Sequence, residues 1–284
     1  MADESPLPNE EHAADSGQSE ATRCGFVALI GAPNAGKSTL LNQLVGAKIS
    51  IVTHKVQTTR AIMRGIAMEG ASQIIFVDTP GIFRPKRRLD RAMVDTAWGG
   101  AKDADMVALL VDAERGLSGE TAEILAKFAD VRQPKLLVIN KIDTVRRDTL
   151  LEIAAEANAK VGFERTFMIS ALTGDGCADL LSYLAGAVPA GPWLYPDDQL
   201  SDLPLRALAA EITREKLFLR LHDELPYAST VETEAWKDQA DGSARIEQTI
   251  YVERESQKKI VIGRRGETIK AISMAARQEI QEMA

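Results

Sequence analysis

The chain has 284 residues, 45% apolar and 26% charged, with 34 Lys and Arg against 41 Asp and Glu for a formal net charge of −7. That length suits two domains with real cores in an ordinary globular protein. The charge excludes a whole surface that attracts nucleic acid nonspecifically, though not a local basic patch, and no apolar run approaches the roughly 18 residues of a membrane span.

Residues 1–22 hold Asp3, Glu4, Glu10, Glu11, Asp15 and Glu20 and no Lys or Arg. With Pro6, Pro8 and Gly17 and few large apolar side chains, this tail is expected to be disordered. Lacking a basic start and an apolar centre, it does not read as a secretory signal. Cys24 is expected to begin the first strand and Cys177 to sit in a loop, as thiols rather than a disulfide. His12, His54 and His222 are scattered and suggest no metal site.

The apolar run Cys24 to Ile30 reads as a strand and Thr39 to Val45 as a helix. Between them stands Gly31-Ala32-Pro33-Asn34-Ala35-Gly36-Lys37-Ser38, which fits G-x-x-x-x-G-K-[ST] in the strand–loop–helix setting a P-loop requires. Its glycines let successive N–H groups curl inward around a phosphate, and the helix starting at Lys37 adds its positive end. Lys37 is placed to reach the outer phosphates and the Ser38 hydroxyl to hold Mg²⁺.

Ala61 to Met68 and Gln73 to Val77 read as a hairpin turning at Glu69-Gly70. The second run ends in Asp78-Thr79-Pro80-Gly81, forty-one residues after Lys37. An acid at the end of a buried strand can hold Mg²⁺ through a water, and Gly81 N–H can meet a γ-phosphate. Residues 82–104 read as basic and irregular, then helical.

Met106 to Val111 (strand), Ser118 to Ala129 (helix) and Lys135 to Ile139 (strand) follow, the last running into Asn140-Lys141-Ile142-Asp143. A carboxylate such as Asp143 accepts a pair of hydrogen bonds from the N1–H and 2-amino edge of guanine. Adenine offers no such pair, so a buried site of this kind rejects it. Asp148 to Val161 is a helix and Thr166 to Ile169 a strand. Ser170-Ala171-Leu172-Thr173-Gly174 then lets backbone N–H groups approach a base oxygen. The alternation predicts an α/β fold with a mixed, mostly parallel sheet and a ligand at the strands' carboxyl ends.

In this order, GAPNAGKS, TTR, DTPG, NKID and SAL resemble the five guanine-nucleotide motifs of a translation-factor-class GTPase. The resemblance implies that Gly31, Ala32, Pro33, Asn34, Ala35, Gly36, Lys37 and Ser38 hold phosphates. Asp78, Thr79, Pro80, Gly81 and Ile82 then face the γ-phosphate, and Asn140, Lys141, Ile142, Asp143, Ser170 and Ala171 face the base. Mg²⁺ is implied on Ser38 and Thr59, with Asp78 acting through water. Thr59 is preferred to Thr58 because it directly precedes Arg60. Ile82 occupies the place of a water-orienting glutamine, which implies slow basal turnover. Asn34 matches a position that holds a monovalent cation in related GTPases, which implies K⁺.

Residues 187–204, with four prolines, read as a linker. Leu205 to Leu225 is an amphipathic helix, and Ala228 to Trp236 and Ala244 to Val252 form a hairpin around Asp241-Gly242. Lys258 to Ile262 is taken as a strand end leading into Gly263-Arg264-Arg265-Gly266 and a helix from about Glu267. This GXXG loop, among Lys258, Lys259, Arg264, Arg265 and Lys270, fits a KH domain that clamps single-stranded nucleic acid. Cations there meet phosphates, and Ile262 and Ile269 line a base groove.

A GTPase joined through a proline-containing linker to such a unit resembles the Era family. Arg214-Glu215-Lys216-Leu217, Glu224-Leu225-Pro226-Tyr227 and Val252 to Lys259 match that family's second-domain pattern. The divisions implied are a tail at 1–22, a GTPase domain at 23–188, a linker at 189–204 and a smaller α+β KH-like (type 2) domain at 205–284. Era chains continue past this point with another strand and helix, so the RNA platform is expected to lack its last elements. The resemblance implies a GTP-hydrolysing switch, with GTP or GDP and Mg²⁺, that binds 16S ribosomal RNA near its 3′ end and assists 30S assembly. It further implies a monomer in the cytoplasm with a peripheral inner-membrane contact. Two alternatives stay open: a second domain that binds protein or a membrane surface, and a nucleotide-gated RNA anchor whose hydrolysis is incidental.

Overall fold

The computed structural model describes residues 21–55, 59, 62–83, 85, 88–222 and 225–283. The acidic tail, Thr58, Arg60 and Glu224 fall outside or almost wholly outside them.

The first strand, β1 (Arg23–Gly31), is a run of apolar residues whose side chains alternate between two faces. Helix α1 (Lys37–Val45) follows, then β2 (Met63–Glu69), β3 (Ser72–Asp78) and α2 (Arg88–Asp103). The chain continues with β4 (Met106–Asp112), α3 (Glu120–Phe128), β5 (Lys135–Asn140), α4 (Arg147–Lys160), β6 (Arg165–Ile169) and α5 (Cys177–Ala187). The six strands lie in the order β2-β3-β1-β4-β5-β6. Only β2 runs antiparallel to its neighbour, with Met63 opposite Asp78 and Glu69 opposite Ser72.

Both faces of the sheet are covered, as a parallel sheet requires. Val27 and Leu29 pack with Leu40, Leu41 and Leu44 of α1 and Leu180 and Leu184 of α5. Ala28 and Ile30 point the other way, into Val94 and Ala97 of α2, Ile124 and Phe128 of α3, and Leu150 and Ile153 of α4. Cys177 is not in a loop: it is the buried first residue of α5, and both cysteines are free thiols.

The proline-containing segment after α5 is docked onto the sheet. Gln73, fully buried, accepts hydrogen bonds from the N–H groups of Leu194 and Tyr195 at 2.9 and 3.0 Å and donates to the Tyr195 carbonyl at 2.8 Å. Trp193 Nε1 donates to Ala71 O at 3.0 Å, and Ile66 N–H donates to Leu200 O at 2.9 Å. A polar side chain this deep is retained because its amide satisfies backbone groups that have no strand partner.

Beyond it come α6 (Leu205–Arg220), β7 (Ser229–Asp238), β8 (Ala244–Val252), α7 (Glu255–Ile262) and α8 (Glu267–Met283). Helix α6 ends at Arg220, short of Leu225, with Leu221 as an extended cap. Strands β7 and β8 pair antiparallel with a bulge between Thr233 and Ala235. Leu217, Val231, Val261 and Ile272 form one small core, and Leu208, Ile212, Ala276 and Ile280 another. Among the described residues no helix is long and apolar enough to cross a membrane.

Candidate functional site

The connections after β1, β3, β5 and β6 converge at the carboxyl edge of the sheet. The turn from Gly31 to Ser38 folds with Asn34 at φ 63° and Gly36 at φ 94°. Gly36 is required for a second reason: a Cβ there would stand 2.2 Å from Nδ2 of Asn140. No side chain caps α1 and no acid sits in its first turn, so its opening N–H groups are available to an anion. Lys37 is buried, and its Nζ donates to the carbonyls of Gly31 and Ala32 at 3.1 Å each. Burial lowers its pKa to about 8, against the opposing pull of Asp78.

Ser38, Thr59 and Asp78 lie together. Ser38 Oγ donates to Asp78 Oδ2 at 2.7 Å and lies 3.2 Å from Thr59 Oγ1. Asp78 is fully buried, and its Oδ1 has no hydrogen-bond partner among the described residues. Burial pushes its carboxyl pKa up, opposed by Lys37 and by the hydroxyls of Ser38, Ser50 and Thr59. Two hydroxyls beside a buried carboxylate with an oxygen to spare are hard oxygen donors that suit Mg²⁺. Ser50, outside every motif of the sequence, joins them; its Oγ donates to Asp78 Oδ2 at 3.1 Å. No motif flags it, because the contact depends on how the loop after α1 returns.

Thr79 and Ile82 pin the DTPG turn against the phosphate loop. Thr79 Oγ1 donates to Leu29 O at 2.8 Å, and Ile82 N–H donates to Gly31 O at 3.0 Å. Gly81 lies so close to Pro33 that a Cβ would come within 2.9 Å of its Cα. The Ile82 side chain is buried among the apolar residues beneath α2.

On the far side, Asn140 joins three loops. Its Nδ2 donates to Ala35 O at 2.9 Å, while its Oδ1 accepts from the N–H groups of Lys141 at 2.8 Å and Ala171 at 2.9 Å. Lys141 is left-handed, with φ 67°, and its Nζ reaches Asp112 Oδ2 at 2.6 Å. Asp112, a second residue the motifs do not reveal, ends β4 directly beside Asn140 in the sheet register. The available hint was an acid at the end of an otherwise apolar strand. Ser170 N–H and Gly174 N–H form a tight turn through Asp175 O and Ser170 O. Asp143, Ser170 and Ala171 line one end of a cleft of about 460 Å³ whose other end is lined by Lys37, Ser38, Thr59 and Gly81.

The second loop cluster lies in the carboxyl-terminal part. Lys258 to Ile262 are not a strand end. They form the last turns of α7, opened by Arg254 N–H donating to Gln257 Oε1 at 2.9 Å and closed by Gly263. The GXXG loop therefore joins two helices. Gly263, Arg265 and Gly266 have φ of 75°, 53° and 79°. Lys258, Lys259, Arg264, Arg265 and Lys270 are exposed, as is Ile262, while Ile269 is half-buried. Asn34, Lys141 and Arg265 are the non-glycine residues with positive φ among those described, and each sits in one of these loops.

This sheet order, with a phosphate loop at one end of the cleft and the Asn140–Asp143 loop at the other, defines a P-loop GTPase followed by a helix–GXXG–helix unit. Residues 26–141 match the family model described as "50S ribosome-binding GTPase", and residues 224–284 match the KH domain model. The chain is 70% identical to the GTPase Era of Mesorhizobium japonicum over 266 residues, 94% of this chain and 86% of that one. It is also 70% identical to the GTPase Era of Rhizobium meliloti over 262 residues, covering 92% and 84%. The chain belongs to the Era family of GTPases. It superposes on a crystal structure of Era in complex with MgGDPNP and nucleotides 1506–1542 of 16S ribosomal RNA, with TM-score 0.87 and 37% identity over 92% of this chain and 89% of that one. A single-residue variant of Aquifex aeolicus Era bound to GDP·AlF₄⁻ matches with the same TM-score and identity, over 92% and 90%.

Proposed function

We propose that the chain binds GTP and GDP in the cleft, hydrolyses GTP, and uses its second domain to bind small-subunit ribosomal RNA near the 3′ end during 30S assembly. The observation that carries the nucleotide half is Asn140, which ties the phosphate loop, the base loop and Ala171 together through three hydrogen bonds. The neighbour determined with MgGDPNP and 16S nucleotides supports the RNA half.

In this reading Gly31 to Ser38 wrap the phosphates with backbone N–H groups, and Lys37 exchanges its contacts with Gly31 O and Ala32 O for the outer phosphates. Ser38 and Thr59 would hold Mg²⁺ directly, and Asp78 would act through water. The ion held there would supply positive charge to the phosphate oxygens. Gly81 N–H senses the γ-phosphate, and Asp143 reads guanine. The buried aliphatic Ile82 cannot orient the attacking water, so basal turnover is slow. Asn34 donates through its amide nitrogen to His54 O at 3.0 Å, so its amide oxygen would be the group to meet K⁺ beside the phosphates. Turnover that is the same in potassium and in sodium would remove the ion from this scheme.

The GXXG loop with Lys258, Lys259, Arg264, Arg265 and Lys270 clamps the RNA backbone, and Ile262 faces bases. The divisions 23–188, 189–204 and 205–284 are supported by where the cores change. Val188 packs with the sheet, and Leu208 packs with α8. A ribosomal RNA partner suits a protein of the cytoplasm; the monomer and the peripheral inner-membrane contact belong to this proposal through the family resemblance alone.

The test of base reading is Asp143→Asn. Its preference is expected to move from guanine to xanthine nucleotides, because the 2-oxo group of xanthine accepts from an amide. Retained guanine selectivity would show that another residue reads the base.

A further inference from the structure

Residues 46–55, the described part of the connection from α1 toward Thr59, are held from two sides. On the nucleotide side, Asn42 of α1 accepts from the N–H groups of Ile49 and Ser50 at 3.0 and 2.9 Å and donates to Ser50 O at 2.7 Å. Ser50 bonds Asp78, and His54 O accepts from Asn34. On the other side, the loop lies against the second domain. Lys48 Nζ is 2.7 Å from Glu215 Oε2 and 2.5 Å from Glu279 Oε1. Val52 N–H donates to Glu215 Oε1 at 2.9 Å. Lys55 Nζ donates to the carbonyls of Phe218 and Leu221 at the end of α6, where a cation also meets the negative pole of the helix.

Glu215 is the centre of this contact. It is 2% exposed, and both its oxygens are engaged. Lys216 Nζ bonds it at 2.8 Å and also pairs with Glu279. A carboxylate this deep, aimed at a backbone N–H of the opposite domain, fixes a position as well as neutralising a charge. From Val52 the chain has seven residues to Thr59, whose hydroxyl stands 3.2 Å from Ser38.

We infer that Glu215, from the RNA-binding side of the molecule, is a positioning residue for GTP hydrolysis: it holds the loop so that Thr59 reaches the Mg²⁺ site. The inference rests on the proposed role of Thr59. GDP, without a γ-phosphate, makes no demand on Thr59, so the loss of Glu215 falls on the triphosphate state alone.

The experiment uses the full chain. Affinities for GDP and a non-hydrolysable GTP analogue, and single-turnover hydrolysis, are measured for wild type, Glu215→Gln, Lys48→Gln and Thr59→Ala. Glu215→Gln and Lys48→Gln are each expected to weaken the GTP analogue and slow hydrolysis about five- to tenfold, the usual range of coupling between sites. GDP affinity should stay within about twofold, since a loss of uniform binding is a different signature. Lys48 is 40% exposed, so its variant folds even where Glu215→Gln is impaired. Unchanged hydrolysis and GTP preference in both variants, with both collapsed in Thr59→Ala, would overturn the role of Glu215. A fall in GDP and GTP affinity together would overturn it as well, by marking a merely structural contact. If Thr59→Ala itself changes nothing, the reading of Thr59 fails and takes this inference with it.

Discussion

Asn140 reaches across the cleft to Ala35, its Nδ2 lying 2.9 Å from a carbonyl 105 positions earlier in the chain. The same side chain accepts from the N–H groups of Lys141 and Ala171. One buried amide thus sets the distance between the phosphate end and the base end of the site. Asn140→Ala leaves the Ala35 carbonyl and two N–H groups without it. Unsatisfied buried groups cost about 1–3 kcal/mol each, so the loss in nucleotide binding should be at least about 2 kcal/mol, roughly thirtyfold in the GDP Kd. Calorimetric titration of GDP reads this directly. A change below about threefold would show that Asn140 holds the loops without shaping the site.

The GXXG loop makes a second prediction, in which two neighbouring positions behave in opposite ways. A Cβ on Gly263 would stand 2.1 Å from Thr268 Oγ1, at a φ of 75°. Gly263→Ala should destabilise the second domain by at least about 1 kcal/mol, the cost of left-handed backbone for a residue with a Cβ, with the clash added. Arg265, at φ 53°, already bears that strain. Arg265→Gly should leave thermal stability equal or higher, yet weaken RNA and reduce the slope of log K against log salt by about 0.7, one phosphate contact on a single strand. Loss of stability in Arg265→Gly, or an unchanged salt slope, would remove Arg265 from the RNA contact.

These loops were legible in the sequence because their chemistry is local. GAPNAGKS, DTPG and NKID each need particular residues at fixed spacing beside a strand, and the structure brings all of them to one sheet edge. The segment Lys258 to Ile262 misled because Ile260-Val261-Ile262 is a short run of β-branched residues, ambiguous between strand and helix by periodicity. In α7 only Val261 of the three is buried, while Ile260 and Ile262 are exposed at 58% and 37%. The cap at Arg254 and Gln257 decides for helix. Gln73 and Ser50 were not legible, and Asp112 only as an acid ending an apolar strand, since their partners Tyr195, Asp78 and Lys141 are 122, 28 and 29 residues away.

The contact around Glu215 carries a pH dependence. Burial pushes the Glu215 carboxyl pKa up, but hydrogen bonds from Lys216, Lys48 and Val52 N–H outweigh it and leave it below the usual range. A lowered folded pKa means stability that is present above the ordinary carboxylate value of about 4.3 and lost as pH falls through the folded value. Burial lowers the Lys216 pKa, and hydrogen bonds to Glu215 and Glu279 more than reverse this. Its contribution is therefore complete below about 10.4 and lost as pH rises through the folded value. The urea midpoint should be flat from about pH 5 to 9 as far as this cluster is concerned, and should fall in acid. Glu215→Gln should flatten part of that acid fall. An acid limb identical in wild type and variant would show that Glu215 titrates alike in the folded and unfolded chain.

One chain joins a guanine-nucleotide site to an RNA site, and an RNA titration at fixed salt tests that link most directly. An oligonucleotide with the 3′-end sequence of small-subunit ribosomal RNA is titrated against the full chain with Mg²⁺ and either a GTP analogue, GDP or an ATP analogue. RNA affinity should be at least about fivefold tighter with the GTP analogue than with GDP, within the range of coupling between two sites. The ATP analogue should give the affinity of the nucleotide-free protein. RNA affinity that is indifferent to the nucleotide, or an ATP analogue that acts like the GTP analogue, would contradict it.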